Sequence, residues 1–246
     1  MGTPVALVVG VGAERGLGAA LCRRFAAGGH HVVASGRTAA KLDAVVRSIA
    51  SQGGSAEAIV ADATREADVA GAFDRAMAAA GGRDPADLVV YNAGSNRRID
   101  FRELTAEAFE EFWRVGCFGG FLVGREAARR LVPLGRGTVI FTGASASLRG
   151  KPGFAQFAMA KAGLRMVAQS MAREYGPLGV HVAHVVIDGG IDGERLRSRF
   201  PDLARERGPG GLLEIDAIAE AYWQLHRQPK SAWTHEIDLR PFKEPF

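Results

Sequence analysis

Short runs of apolar, often β-branched residues alternate with longer stretches in which apolar positions recur at helical spacing. The short runs predict seven strands, at residues 5–9, 31–34, 58–61, 88–91, 138–142, 180–187 and 236–239. Between them, residues such as Leu17, Leu21 and Phe25 share one face of a helix. Strands that are apolar throughout are typical of a parallel sheet covered by helices on both faces. The pattern therefore predicts a three-layer, doubly wound (Rossmann) α/β fold with a seven-stranded parallel sheet.

The length and the helix-ending signals indicate one domain. The chain has 246 residues, 47% of them hydrophobic, and its mean hydropathy is zero. Glycine pairs at 28–29, 53–54 and 81–82 follow predicted helices, where a left-handed closing residue is often needed. Because no linker interrupts this alternation of strands and helices, a single domain over 1–246 is predicted. Residues 190–212 lose the periodicity and collect Gly, Pro and Arg, which predicts a flexible segment beside a ligand site.

Charge and cysteine content exclude several functional classes. The formal net charge is +4, but basic and acidic residues are interspersed, so nucleic-acid binding is not expected. The two cysteines, Cys22 and Cys117, have no metal-ligand or redox spacing, and no metal site is predicted. The first apolar run is too short to span a membrane and has no basic region before it, so we expect a cytoplasmic protein without a membrane partner.

A glycine-rich turn joins the first predicted strand to the first helix, between Gly10 and Gly18. Glycines let the chain reverse tightly and bring backbone N–H groups close to a pyrophosphate at a helix N-terminus. The spacing G-x-G-x-x-G fails because Arg15 stands where its third glycine is needed. The spacing G-x-x-x-G-x-G is satisfied by Gly12, Gly16 and Gly18. The turn predicts a dinucleotide site, and the alternative is a strand-to-helix turn without a ligand.

Three later features extend this pattern. Asp62 follows the third strand, Asn92-Ala93-Gly94 follows the fourth, and a helix bearing Lys161 follows the fifth. With the turn, they make the chain resemble the short-chain dehydrogenase/reductase family over nearly its whole length. The resemblance implies that these positions serve the adenine, the centre of the sheet and the nicotinamide ribose. The family's Thr-Gly opening reads Val11-Gly12 here, or Val9-Gly10 with a turn two residues longer.

The end of the second strand favours NADP(H) over NAD(H). NAD-binding proteins usually place an acidic residue there to hold the ribose 2′-hydroxyl, whereas this chain has Ser35-Gly36-Arg37. Arg37 and Arg15 could clamp a 2′-phosphate, or they could be two solvated surface arginines. The full set of cofactor-binding residues predicted from the turn and the resemblance is Gly10, Gly12, Glu14, Arg15, Gly16, Leu17, Gly18, Arg37, Asp62, Ala63, Asn92, Ala93, Gly94, Thr142, Lys161, Gly189 and Ile191.

The resemblance also implies an Asn, a Ser and a Tyr-x-x-x-Lys pair, of which only Lys161 is present. Phe157 occupies the tyrosine position, and a phenyl ring cannot transfer a proton. The serine position is Ala144, and the asparagine position is Gly116. Gly116, Gly119 and Gly120 mark close packing against a ligand or, with more weight, against another helix.

Ser145, Asp188, water or the substrate itself could replace the missing proton donor. Ser145 lies one residue beyond the serine position, and Asp188 stands where the family's Pro-Gly pair borders the nicotinamide. An Asx turn capping the strand is the alternative reading of Asp188. We therefore expect an NADP(H)-dependent oxidoreductase for a small carbonyl or alcohol that transfers its proton without the usual tyrosine. The alternative is a catalytically degenerate or non-redox dinucleotide-binding protein, such as a sensor, a partner subunit, an isomerase or a lyase.

The resemblance implies a homodimer or homotetramer built on the predicted long helices at 106–131 and 153–175. The sequence does not identify the substrate.

Overall fold

The computed structural model describes residues 2–244, so the predicted domain of 1–246 extends past them by Met1 and residues 245–246. Seven strands form one sheet in the order β3-β2-β1-β4-β5-β6-β7, and every neighbouring pair is parallel. The strands are β1 (Val5–Val9), β2 (His31–Gly36), β3 (Ser55–Val60), β4 (Leu88–Tyr91), β5 (Thr138–Thr142), β6 (His181–Ile187) and β7 (Glu236–Leu239). The predicted doubly wound sheet is confirmed.

Nine α-helices connect or flank these strands within the described residues. They are α1 (Leu17–Ala27), α2 (Ala39–Ser51), α3 (Glu66–Met77), α4 (Ala106–Trp113), α5 (Gly119–Leu131), α6 (Ala155–Tyr175), α7 (Glu194–Arg199), α8 (Leu203–Arg207) and α9 (Ile215–His226). One core packs α1, α2 and α9 on one face of the sheet, and a second packs α3, α5 and α6 on the other. No described helix is long and apolar enough to cross a membrane.

The third strand is the least well predicted. It begins at Ser55, three residues before the predicted start, and ends at Val60. β3 is the edge of the sheet, where Ser55 is exposed and Glu57 binds Arg75 and Arg83. An edge strand does not need the continuous apolar run by which central strands are recognised. β2 also extends to Gly36, and β6 starts at His181 instead of residue 180.

The predicted long helix at 106–131 is two helices joined by a π-helical turn at Arg114–Phe118. The hydroxyl of Tyr91, at the end of β4, donates a hydrogen bond to the carbonyl of Val115 inside this turn. A π-helical turn changes the pairing of the helix backbone, and such turns frequently lie at functional sites. The Tyr91 hydroxyl therefore satisfies a carbonyl that the turn leaves available.

Residues 190–212 are folded, although their sequence lacks periodicity. They contain α7 and α8, which have six and five residues. Helices this short bury too few side chains to produce a repeating apolar pattern. The flexibility of this segment stays a prediction.

Candidate functional site

The candidate site lies at the carboxyl edge of the sheet, where the strand order reverses between β1 and β4. In open α/β sheets, ligands bind in the crevice at this reversal. The glycine-rich turn leaves β1 here, and Asn92, Gly94 and Thr142 stand at the ends of β4 and β5. The fold therefore brings the predicted turn and the predicted lysine helix to one edge.

Gly10 makes the reversal directly after β1. Its φ is +98°, and a Cβ there would lie 2.4 Å from the backbone nitrogen of Ala93. Asn92 Nδ2 donates to the Gly10 carbonyl at 3.2 Å, which ties the turn to the end of β4. A Cβ on Gly18 would lie 2.9 Å from the same carbonyl. These contacts favour the reading in which Gly10 opens a turn that is two residues longer than usual.

The first turn of α1 is open to an anion. A Cβ at Gly12 would meet no atom within 4 Å, so this glycine faces open space. Gly16 is the N-cap of α1, no side chain bonds to the cap, and the first turn of the helix has no acidic residue. The first N–H groups of a helix have no partner within it, and the helix dipole favours negative charge there. The side chain of Leu17 is buried and anchors the start of α1, and its binding of the cofactor stays a prediction.

Two other predicted residues, Glu14 and Arg15, form the exposed tip of the turn. The Glu14 carbonyl accepts a hydrogen bond from Arg23 Nη1 at 2.9 Å. The Arg15 carbonyl accepts one from the backbone nitrogen of Glu194 at 2.8 Å, and a Cβ on Gly193 would lie 2.9 Å from that oxygen. The start of α7 therefore lies on the glycine-rich turn, which brings the segment at 190–212 to the site.

A cavity of about 350 Å³ lies at the ends of β2 and β3. It is lined by Arg37, Asp62, Thr64, Glu107, Glu110, Glu111, Arg114 and Val115. Asp62 Oδ1 accepts hydrogen bonds from the nitrogen and hydroxyl of Thr64, at 2.9 and 2.8 Å. Burial opposes ionisation of Asp62, but these bonds and the charge of Arg37 lower its pKa below the usual value. Arg37 is exposed on the β2 side, opposite the glutamates of α4.

Lys161 lies in the interior of the site. Its Nζ donates to the carbonyl of Thr142 at 2.7 Å, and a Cβ on Gly94 would lie 3.2 Å from Nζ. The side chain is buried, and burial lowers its pKa from 10.5 to about 8. Thr142 is itself fixed, because its Oγ1 accepts a hydrogen bond from the buried Tyr222 hydroxyl at 2.9 Å. The predicted residues Gly94, Thr142 and Lys161 are therefore neighbours.

The asparagine position is occupied by helix packing. A Cβ on Gly116 would lie 2.7 Å from Cβ of Ala160, and a Cβ on Gly120 would lie 2.2 Å from Cδ1 of Leu164. Gly119 approaches the Tyr91 hydroxyl and the Ala63 carbonyl in the same way. The predicted close packing against a helix is confirmed, since these glycines allow the chain from 116 to 120 to approach α6 and β4. Ala63 contacts this helix through its carbonyl.

The hydroxyl of Ser147, and not that of the predicted Ser145, is hydrogen-bonded to its surroundings among the described residues, and the role of Ser145 as proton donor stays a prediction. Ser147 Oγ accepts from the backbone nitrogen of Ala144 at 3.2 Å and lies 3.3 Å from His184 Nε2. His184 Nδ1 lies 2.9 Å from Glu236, whose carboxylate also pairs with Arg165 at 2.7 and 2.8 Å. Burial lowers the pKa of His184 to about 4, although Glu236 opposes the shift. Ser145 is half-buried beside this network.

Ser147, His184 and Glu236 form a hydrogen-bonded network next to Ala144, the residue at the family's serine position. A neutral His184 that donates to Glu236 has its Nε2 lone pair free to accept from the Ser147 hydroxyl. Ser147 is 5% exposed and His184 is fully buried, so neither reaches a bound substrate. The sequence signal was weak, because a single histidine in an apolar strand has no partner at a recognisable spacing.

Asp188 is an ion-pair residue in this structure. Its carboxylate accepts two contacts from Arg149 Nη2, at 3.0 and 2.8 Å, and one from Arg240 Nη2 at 2.9 Å. The side chain is 1% exposed. Protonating this carboxylate would disrupt charge-assisted bonds to two guanidinium groups. The geometry is therefore unfavourable for the predicted role as proton donor, and it differs from the alternative of an Asx turn.

The last two predicted cofactor residues lie beyond β6. Gly189 has a φ of +156°, and a Cβ there would lie 2.6 Å from Cδ of Pro241. Ile191 forms a β-bridge with Leu213. Gly189 and Ile191 therefore fix the start of the segment at 190–212, which contains α7. On the other side of α7, Arg195 donates to the Gly94 carbonyl at 3.4 Å and to Asn96 at 3.0 Å, so this helix also covers the end of β4.

Comparison with known proteins gives consistent matches. The short chain dehydrogenase family matches residues 4–203. The uncharacterized oxidoreductase YuxG of Bacillus subtilis is 33% identical over 221 residues, which are 89% of this chain and 31% of that protein. The chain therefore spans about a third of the length of this relative.

Two solved structures match over nearly the whole chain. A short-chain dehydrogenase from Rhodopseudomonas palustris is 40% identical with a TM-score of 0.82, covering 98% of this chain and 99% of that chain. A metagenomic short-chain oxidoreductase in complex with NADP is 26% identical with a TM-score of 0.81, covering 98% and 97% of the two chains. With the glycine-rich turn, the buried lysine and the matched residues, these likenesses establish that the chain belongs to the short-chain dehydrogenase family.

Proposed function

We propose that the chain is an NADP(H)-dependent oxidoreductase for a small carbonyl or alcohol substrate. The open N-terminus of α1 and the space at Gly12 suit a pyrophosphate. Arg37 stands where an acidic residue would otherwise hold a 2′-hydroxyl, and its guanidinium suits a 2′-phosphate. The metagenomic relative bound to NADP supports the same cofactor here. When bound, the nicotinamide supplies or accepts the hydride.

Lys161 carries this proposal, because it is a buried amine at the site with a pKa of about 8. An amine that titrates near neutral pH can act as a general acid in one direction and as a general base in the other. In reduction, Lys161 would give a proton to the developing alkoxide and regain one from solvent. Thr142 orients the amine through the hydrogen bond to its carbonyl. Lys161 thus takes over the proton transfer for which Phe157 has no suitable group.

Ser145 and Asp188 rank below Lys161 as proton donors. Asp188 is already paired with Arg149 and Arg240, and its carboxylate is 1% exposed. Ser145 is half-buried beside Ala144, and its hydroxyl would need a neighbouring base to transfer a proton at neutral pH. Ser145 therefore remains available for hydrogen bonding to a substrate oxygen.

The second candidate function is non-redox binding of a dinucleotide. It is favoured by Ala144 and Phe157, which remove two proton-handling groups, and by the packing that fills the Gly116 position. In that case Lys161 and the glycine-rich turn would serve binding alone. The two candidates differ in whether NADPH is oxidised.

The variant Phe157→Tyr combined with Ala144→Ser separates the two candidates. If the protein is non-redox, the new hydroxyls beside Lys161 should create NADPH oxidation against a panel of small aldehydes and ketones. If Lys161 already transfers the proton, the wild type should be active on that panel and the variant should gain little. Wild-type protein that binds NADPH but never oxidises it would overturn the oxidoreductase proposal.

The double variant of Phe157 and Ala144 leaves Gly116 unchanged. An asparagine there would push its Cβ into Ala160, and overpacking of this kind costs about 1–3 kcal/mol of stability. Gly116→Asn should therefore lower the melting temperature without adding activity, which makes it a control for damage to the π-helical turn.

A homo-oligomer is also proposed. Apolar side chains on α4, α5 and α6 are exposed, namely Phe109, Trp113, Phe121 and Met166. Burying such a face against a second copy would remove apolar area from water. Light scattering should give the mass of a dimer or tetramer, and Phe121→Glu should shift it toward the monomer. A monomeric wild type at micromolar concentration would contradict the proposal.

A further inference from the structure

Three polar side chains from distant parts of the chain meet at the amino edge of the sheet, opposite the candidate cofactor site. His30 immediately precedes β2, Asp87 immediately precedes β4, and His226 is the last residue of α9. One ligand-type atom from each lies within 4.8 Å of the other two. We propose that His30, Asp87 and His226 bind a divalent transition-metal cation such as Zn²⁺.

The donor set fits such a cation. Two imidazole nitrogens and one carboxylate oxygen are ligands that Zn²⁺ and its first-row neighbours accept. His30 Nε2 lies 3.0 Å from Asp87 Oδ1, a contact made by a hydrogen bond in this structure. Two ligands on one tetrahedral zinc, each about 2.1 Å from it, lie roughly 3.3 Å apart. For this pair a cation could replace the shared proton with a shift of a few tenths of an ångström, whereas the ligand atom of His226, which lies within 4.8 Å of the other two, would have to approach them by up to roughly 1.5 Å.

His30 is buried with its Nε2 directed toward Asp87. The residue is 4% exposed, and its Nδ1 is buried with no hydrogen-bond partner among the described residues. Its ring is therefore held through Nε2 and by edge contact with Trp223, whose ring centroid is 5.6 Å away. A cation at Nε2 would leave Nδ1 as it is, so what supports the site is the placement of the buried ring with Nε2 toward Asp87.

The neighbours of the cluster orient the other two ligands. His226 Nδ1 lies 3.0 Å from Thr138 Oγ1, a contact of the kind that fixes the ring and tautomer of metal-binding histidines. The Asp87 side chain is 24% exposed, which leaves solvent access for a fourth, water ligand.

The positively charged side chains near the cluster do not block the binding of a cation. Arg136 Nη1 approaches Asp87 at 3.9 Å, but it faces Oδ2, whereas His30 contacts Oδ1. The Arg136 side chain is 45% exposed and can turn into solvent. Arg227 and His181 also face His226 electrostatically, and the neutral state of a buried His181 is favoured because burial lowers its pKa. Asp87 Oδ1, the oxygen that faces His30, therefore remains available to a cation.

A cation here would link the end of α9 to the starts of β2 and β4. Because the site lies across the sheet from Lys161, at a distance of about 15 Å along a five-residue strand, its role would be structural. The inference does not depend on the proposed oxidoreductase activity.

The test is a titration of chelator-treated, metal-free protein with Co²⁺ and with Zn²⁺. We expect the visible absorption bands of tetrahedral Co²⁺, their displacement by Zn²⁺, and a rise in melting temperature with Zn²⁺. Asp87→Asn and His226→Gln should each weaken binding at least about tenfold. His235→Gln is the matched control, because His235 is half-buried and also has a buried ring nitrogen without a partner, but lies outside the cluster.

The titration of wild-type protein decides by itself whether a cation binds. Absence of both the Co²⁺ bands and the Zn²⁺-dependent stabilisation would overturn the proposal. Equal binding by wild type and His226→Gln would overturn the assignment of the ligands. Circular dichroism checks that each variant is folded, and either of the two ligand variants suffices if the other does not fold.

Discussion

Replacing Lys161 by methionine is expected to lower the rate of carbonyl reduction by about 10²–10⁴-fold, the contribution typical of a positioned general acid. Methionine keeps the length and apolar stem of the side chain but removes the amine that donates to Thr142. The measurement is NADPH oxidation at saturating cofactor, so that weaker binding does not mimic a loss of chemistry. Lys230→Met is the control, because Lys230 is exposed and bonds to Gly135 at the opposite edge of the sheet.

The pH profile identifies what Lys161 does. A pKa of about 8 means that the ammonium form predominates below that pH and is lost above it. As general acid, Lys161 should therefore make kcat/KM for reduction fall as the pH rises through about 8, whereas the oxidation rate should rise through the same pH. A Lys161→Met variant with unchanged reduction kinetics, or a wild-type profile flat across this range, would show that the proton comes from another group.

The same pKa has a consequence for stability. Between pH 8 and 10.5 the unfolded chain holds a proton on Lys161 that the folded chain has released. Stability rises with pH wherever the unfolded state binds more protons. The wild type should therefore gain stability relative to Lys161→Met as the pH rises through this window. Because the comparison is a difference between two proteins, the titration of groups that do not interact with Lys161 cancels, and the thiol of Cys117, which does interact with Lys161, is the exception.

Replacing Arg37 by alanine is expected to weaken NADPH binding about 10- to 100-fold and to leave NADH binding nearly unchanged. This magnitude corresponds to about 1.5–3 kcal/mol for hydrogen bonds to a charged group. Arg37 follows β2 directly and is exposed at the cavity that Asp62 also lines. Titration calorimetry with NADPH and with NADH measures the dissociation constant of each cofactor for the wild type and the variant.

Two further variants make this result specific. Arg47→Ala removes an exposed arginine from α2 and should change neither affinity. Arg37→Asp should favour NADH, because a carboxylate can accept from a 2′-hydroxyl and repels a 2′-phosphate. Equal weakening of NADPH and NADH by Arg37→Ala would mean that Arg37 supports the cavity without contacting the 2′-phosphate, and Arg15→Ala would then become the decisive variant.

The glutamates of α4 also affect where a cofactor phosphate can bind in this cavity. Glu107, Glu110 and Glu111 line the cavity opposite Arg37, and their charges disfavour a phosphate on that side. A cofactor phosphate would therefore be held on the β2 side.

The sheet and the glycine-rich turn of the site could be predicted from residue pattern and spacing. Continuous apolar runs such as Val5–Val9 predict buried parallel strands, because such strands are covered on both faces. The glycine-rich turn was predictable because a close backbone approach requires glycine, and Lys161 was predictable from the resemblance to the family. The edge strand β3 was placed less accurately, because half of its surface faces solvent.

Which polar groups meet could not be predicted, because their contacts form only when the elements pack together. Ser147 rather than Ser145 joins His184 and Glu236, Asp188 pairs with two arginines, and the Gly116 position is filled by Ala160. His30, Asp87 and His226 likewise come together from three distant segments. The physical reason is the same in each case. Apolar periodicity fixes which face of an element is buried, whereas a contact between side chains depends on how separate elements pack, and no local spacing records that.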